Sequence, residues 1–107
     1  MSAWIMLLLA VAFEIAGTAL LKLSDGFARW EWGALAVGAY ILSLWFFAPA
    51  LKTIPVGIAY AVWVGLGILA AAVIGGVFFN QQLDLVQYLC IALILIGAVG
   101  LRLTTDA

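Results

Sequence analysis

Four long apolar runs fill almost all of the 107-residue chain, and only short polar connections separate them. A helix that crosses a bilayer takes about 20 residues, so this length accommodates four spans and little else. The runs read as helices over about 4–21, 33–48, 57–79 and 85–103. The expected fold is an all-α integral membrane protein, with residues 1–107 forming one four-helix transmembrane domain and no extramembrane domain. The start, Met-Ser-Ala-Trp, has no basic region ahead of its apolar run, so the first run is expected to be a span and not a removable signal.

Composition closes off other classes. Apolar residues make up 69% of the chain and charged residues 8%, against about 45–50% and about 25% in soluble domains. That is too little polar side chain to cover a water-facing surface, which excludes a soluble enzyme. Four Lys and Arg in total cannot neutralise a run of phosphates, which excludes a nucleic-acid partner. With one cysteine and no histidine there is no basis for a disulfide framework or a zinc site. No metal and no cofactor is expected.

The connections carry turn signals. Lys22-Leu23-Ser24-Asp25-Gly26 contains an Asp-Gly pair, the second run is expected to stop near Pro49, and Asn80-Gln81-Gln82-Leu83-Asp84 reads as a short polar hairpin. The glycine-rich third run would argue against a helix in water; in lipid glycine is better tolerated, because helical hydrogen bonds are the ones available. Cytoplasmic loops ordinarily carry the excess of Lys and Arg. Here Lys22 and Arg29 fall on one side of a four-span layout and Lys52 and Arg102 on the other. Such an even split gives no preferred orientation and suggests that copies insert both ways, one supplying an inverted half to the other.

One acidic residue lies deep inside a run. Glu14 is close to the middle of the first span, where an acidic side chain costs about 2.5–3.5 kcal/mol to insert and usually faces a cavity or a bundle interior. The one Lys, Arg or His within a predicted span is Arg102, at the very end of the fourth, where it should reach the interface, so no basic residue lies at the depth of Glu14 to pair with it. A low dielectric disfavours an isolated charge, so such an acid is stable when protonated and stable again when a cation takes the proton's place. Residues three and four apart share a helix face, which puts Ala10, Glu14, Gly17 and Thr18 on one stripe. The small members either let another helix approach closely or leave room for a ligand beside the carboxylate.

Tyr60 and Trp63 share a face of the third helix by the same spacing. An aromatic wall beside an acid suits a bulky organic cation, because ring faces attract positive charge. Trp4, Trp30 and Trp32 read instead as interfacial belt residues. Gly65 and Gly67 allow either a hinge or close packing. Tyr40 and Ser43 share a face of the second helix as pocket lining or as inter-helix hydrogen-bonding groups. Cys90, Leu93, Gly97 and Gly100 form an apolar stripe on the fourth helix, a seam suited to association with a second copy.

These residues resemble the small multidrug resistance transporters of the drug/metabolite transporter superfamily. The resemblance rests on Phe13-Glu14-Ile15-Ala16-Gly17-Thr18-Ala19-Leu20-Leu21-Lys22, Ser24-Asp25-Gly26-Phe27, Leu51-Lys52-Thr53-Ile54-Pro55-Val56-Gly57-Ile58-Ala59-Tyr60-Ala61-Val62-Trp63, Gly65-Leu66-Gly67 and Leu83-Asp84-Leu85. It covers essentially the whole chain. It implies an antiparallel homodimer in a bacterial plasma membrane, proton-coupled export of lipophilic organic cations, and an essential glutamate, here Glu14. Gly17-Thr18 matches the quaternary-ammonium branch, whereas guanidinium exporters typically have Trp where Gly17 stands. In that branch Glu14 is the shared proton and cation site, Tyr60 and Trp63 are aromatic walls, and Ala10, Gly17, Thr18, Tyr40 and Ser43 line the pocket. The chain departs from the family pattern at Val64, Asn80, Gln82, Val86-Gln87 and Cys90. A guanidinium or polyamine exporter and one subunit of a heterodimeric pair are the alternatives within transport, and a structural subunit that transports nothing is the alternative outside it.

Overall fold

A computed structural model describes residues 2–105 of the chain. Among these residues the elements are four helices: α1 (Ala3–Leu23), α2 (Trp30–Ala50), α3 (Val56–Phe78) and α4 (Leu85–Leu103). Each is long and apolar enough to cross a membrane. At 1.5 Å per residue, the 21 residues of α1 extend about 31 Å, close to the thickness of the hydrocarbon core. Helices are the natural outcome for such runs, because lipid offers no partner to an unpaired backbone group. The helices form two compact units, α1 with α2 up to Thr53 and α3 with α4 from Ile54 onward.

In the first unit, small residues set the helix contact. Leu7, Ala10, Val11 and Gly17 of α1 are buried, as are Gly33, Ala36, Ser43 and Ala50 of α2. Ala36, Ser43 and Ala50 recur at every seventh position and form a seam of minimal side chains, the arrangement that lets apolar helices approach in lipid. Ser43 Oγ adds a bond across the seam, donating to the Ala10 carbonyl at 2.8 Å. Beside the seam, the Phe13 and Phe46 rings stack with centroids 5.6 Å apart and planes 4° from parallel.

The α1–α2 connection is tightly closed. Ser24 is fully buried; its Oγ donates to the Leu21 carbonyl at 2.6 Å and accepts from the Phe27 amide at 3.1 Å. Asp25, Gly26 and Phe27 all have positive φ, 51°, 66° and 69°, a conformation costly for Phe and easy for Gly. The turn folds the Phe27 ring over Gly33, where a Cβ would collide with Phe27 Cδ1.

Helix α2 is longer at both ends than the sequence pattern predicts. It begins at Trp30, with Glu31 in the first turn favourably placed against the positive helix end. It passes through Pro49 to Ala50. Pro49 has no amide to offer the Trp45 carbonyl four residues earlier and its ring crowds that carbonyl, and the helix ends one residue later.

In the second unit, Pro55 precedes α3 and its carbonyl accepts from the Ala59 amide at 2.9 Å. At the other end Asn80 takes φ 55°, turning the chain so that the Gln81 amide reaches the Gly75 carbonyl at 2.9 Å. Asp84 starts α4 with a capping box: Asp84 Oδ1 accepts from the Gln87 amide at 2.8 Å, and Gln87 Oε1 accepts from the Asp84 amide at 3.0 Å. Gln87, one of the departures from the family pattern, is thus half of a working helix start. The α3–α4 approach centres on Gly65, where a Cβ would lie 2.8 Å from Ala98 Cβ.

Candidate functional site

Glu14 lies eleven residues after Ala3 and nine before Leu23, near the middle of α1. Its side chain is half-buried. One turn on, Thr18 Oγ1 stands 3.2 Å from Glu14 Oε1 and 3.0 Å from the Glu14 carbonyl oxygen. The same Oγ1 is 2.7 Å from the Tyr40 hydroxyl of α2. A carboxyl and two hydroxyls therefore form one connected chain across the two helices. Gly17 makes this possible: the Tyr40 ring passes so close that a Cβ on residue 17 would lie 3.2 Å from Tyr40 Cε1, and 3.2 Å from the Ala36 carbonyl oxygen.

The stripe Ala10, Glu14, Gly17 and Thr18 was open between helix packing and ligand space, and its members divide. Ala10 and Ser43, expected to line a pocket, are enclosed in the α1–α2 seam, 0% and 1% exposed. Small size at position 10 serves close approach of the helices. The space beside Gly17, expected to make room for a larger ligand, is filled by the Tyr40 ring and the Ala36 backbone. Thr18 is exposed and Tyr40 half-buried, so these two present polar groups beside the carboxyl.

In the second unit, Tyr60 is 59% exposed and its ring centroid lies 6.2 Å from that of Trp63, the planes tilted by 54°. The spacing of three residues puts both rings on one face, as expected. Tyr60 also lines an open, apolar groove of about 640 Å³ together with Val64, Leu93, Ile94, Gly97 and Leu101. Two of the expected seam residues, Leu93 and Gly97, thus share a groove with an expected aromatic wall. Cys90, Leu93, Gly97 and Gly100 are all exposed, and a Cβ at Gly97 or Gly100 would meet nothing within 4 Å. Among α4 residues, Ala98 is the one buried against α3, so the stripe lies off the contact that α4 makes within its own unit. Gly65 is buried at that contact, and Gly67 is half-buried.

Two features escaped the sequence pattern. The Phe13–Phe46 stack beside Glu14 joins residues far apart in the chain, and helical spacing gives a face without telling which residue of another helix meets it. The Thr18–Tyr40 bond is of the same kind. Both residues were singled out, yet nothing in their spacing paired them.

The model of the small multidrug resistance protein family matches residues 2–94. The chain is a member of this small multidrug resistance family. It is 43% identical over 103 residues to the quaternary ammonium compound-resistance protein QacF of Klebsiella aerogenes, covering 96% of this chain and 94% of the relative. It is 39% identical over 102 residues to the guanidinium exporter of Escherichia coli O6:H1, covering 95% and 97%. It is also 42% identical over 100 residues to a Bacillus subtilis membrane protein of uncharacterised function, YvaE, covering 94% and 84%. As a small multidrug resistance protein with four membrane-spanning helices, the chain is a transporter of the bacterial inner membrane and not an enzyme, as the sequence leads one to expect.

Proposed function

We propose that the chain exports aromatic or quaternary ammonium cations in exchange for protons, as an antiparallel homodimer of four-helix subunits in which two copies of Glu14 face one chamber. The observation that carries this reading is the mid-helix carboxyl of Glu14 with hydroxyl groups gathered at its side. A carboxylate there neutralises either a proton or an organic cation, and the two ligands exclude each other. Exclusion couples them: each occupancy biases the balance between inward-open and outward-open states, and neither has to be driven by a separate energy source.

The exposed Tyr60 ring beside the half-buried Trp63 ring supports a substrate with delocalised charge and apolar bulk, since ring faces hold such cations without a hydrogen bond. Gly17 supports the same branch through Tyr40: the absent side chain admits the Tyr40 ring near the acid. Cys90, Leu93, Gly97 and Gly100, exposed on α4, are proposed as the seam with the second copy, and Gly65 with Gly67 as the place where α3 bends. Relatives named for quaternary ammonium resistance and for guanidinium export are both close in sequence, so the test compares the two substrates.

Purified protein in liposomes, with an imposed pH gradient, is expected to move tetraphenylphosphonium in preference to guanidinium. Glu14→Gln, neutral and nearly isosteric, is expected to abolish the movement while leaving the helical content unchanged. Proton-driven transport undiminished in that variant would overturn the assignment, and preference for guanidinium would move the chain to the other branch.

A further inference from the structure

Thr18 has a single hydroxyl proton, yet three oxygens lie within bonding distance of its Oγ1: the Glu14 carbonyl at 3.0 Å, Glu14 Oε1 at 3.2 Å and the Tyr40 hydroxyl at 2.7 Å. A threonine in an apolar helix commonly bonds back to the carbonyl four residues earlier. Here the same oxygen also meets a carboxyl and a phenol, so the protons must be apportioned. If Thr18 donated to Tyr40, it would turn a lone pair toward Oε1 and leave an ionised carboxylate facing an acceptor. If Tyr40 donates to Thr18, the Thr18 proton is released to serve Glu14. That second arrangement satisfies every group when Glu14 is ionised.

We infer that Thr18 is a positioning residue that transmits the protonation state of Glu14 to Tyr40 on the neighbouring helix. With Glu14 ionised, Tyr40 donates to Thr18 and Thr18 donates to Oε1, a charge-assisted bond. When Glu14 takes up a proton, Oε1 becomes a weaker acceptor and the Thr18 hydroxyl rotates to the Glu14 carbonyl oxygen. No proton leaves the threonine; its direction changes, and the Tyr40 bond loses the polarisation that the carboxylate lent it. The proton site thereby acts on the α1–α2 contact at the point where the Gly17 cleft holds the Tyr40 ring. The other ionisable groups on these helices are Lys22 in the last turn of α1 and Glu31 in the first turn of α2. Lys22, which is exposed, lies about two turns from Glu14 and one turn from Thr18, and Glu31 lies about two and a half turns from Tyr40, which leaves Tyr40 as the ionisable group of α2 at the cluster.

This role rests on Glu14 being the proton site, and the experiment separates the two. Infrared difference spectra of the protein in liposomes, recorded between alkaline and acidic pH with no organic cation present, report the carboxylate directly. Glu14→Gln is expected to remove one set of carboxyl bands, which identifies Glu14 among the five Asp and Glu of the chain; a difference spectrum that the substitution leaves unchanged would overturn the proton site and this role with it. Thr18→Val, which keeps the volume and removes the hydroxyl, is expected to shift the carboxylate band, and Thr18→Ser to return it to the original position. Tyr40→Phe is expected to shift the band in the otherwise unchanged protein and to add nothing in the Thr18→Val background. A band unmoved by Thr18→Val, a Thr18→Ser variant that behaves like Val, or a Tyr40→Phe shift that persists without Thr18 overturns the inference. Because no transported cation enters the measurement, loss of cation export and loss of the relay are separate results.

Discussion

The ring of Tyr40 occupies the space that a side chain at Gly17 would fill, with Tyr40 Cε1 3.2 Å from the position of the absent Cβ. The Ala36 carbonyl lies equally close on the same side, so an added methyl meets backbone as well as a movable ring. Gly17→Ala is expected to destabilise the chain by roughly 1–3 kcal/mol, the usual range for overpacking a close contact. It is also expected to draw the Tyr40 hydroxyl away from Thr18. Thermal unfolding in detergent checks the first effect, and the carboxylate band of Glu14 the second.

Gly65 and Ala98 give a prediction that distinguishes packing from bending. A Cβ at residue 65 would stand 2.8 Å from Ala98 Cβ, too close without a shift of α3 against α4. Gly65→Ala is expected to lower stability and transport together, and Ala98→Gly in the same chain to restore both. Contacting pairs show interaction energies of about 0.5–3 kcal/mol in double-mutant cycles. Restored stability without restored transport would mean that the glycine is needed for its backbone freedom.

Trp63 is expected to discriminate between classes of cation. Trp63→Leu keeps an apolar side chain and removes the ring face. Cation–π contacts contribute up to about 2 kcal/mol when desolvated, so tetraphenylphosphonium affinity is expected to fall about tenfold. Guanidinium binding is expected to change little, and equilibrium binding at alkaline pH measures both.

The start of α4 depends on Asp84, whose carboxylate accepts from the Gln87 amide. Asp84→Ala is expected to cost about 1 kcal/mol and Asp84→Asn a few tenths, as N-cap exchanges generally do. Hydrogen exchange at the Val86 and Gln87 amides reads this locally, with faster exchange in the alanine variant.

The four spans were legible because lipid demands the same thing of every residue in them, apolar side chains over some twenty positions, so composition along the chain is nearly sufficient. The ends were less so. Trp30 and Trp32 read as interfacial residues outside a helix and prove to be its first turn, while Pro49 reads as a stop and is carried within the last turn. Phe27 offered no sign of its left-handed backbone, which follows from the ring packing on Gly33 and not from any preference of phenylalanine. At the site, Glu14 stood out by itself, since a lone acid in an apolar run has few explanations. The function of its small neighbours did not. A stripe of Ala and Gly fits a cavity and a close contact equally well, and the relative rotation of α1 and α2 decides between them, placing Ala10 inside the seam and Tyr40 across Gly17. That rotation depends on all the contacts of the seam at once, which no local spacing records.

The connection between α1 and α2 has a mechanical consequence. Ser24 bonds both ends of the turn, the Arg29 amide returns to the Ser24 carbonyl at 2.9 Å, and the Phe27 ring seats on Gly33, so the elbow has no slack with which to change the angle between its arms. In the exchange proposed above, a motion that alters access to Glu14 is therefore expected to carry α1 and α2 together as one stiff lever, with Tyr40 travelling alongside the acid.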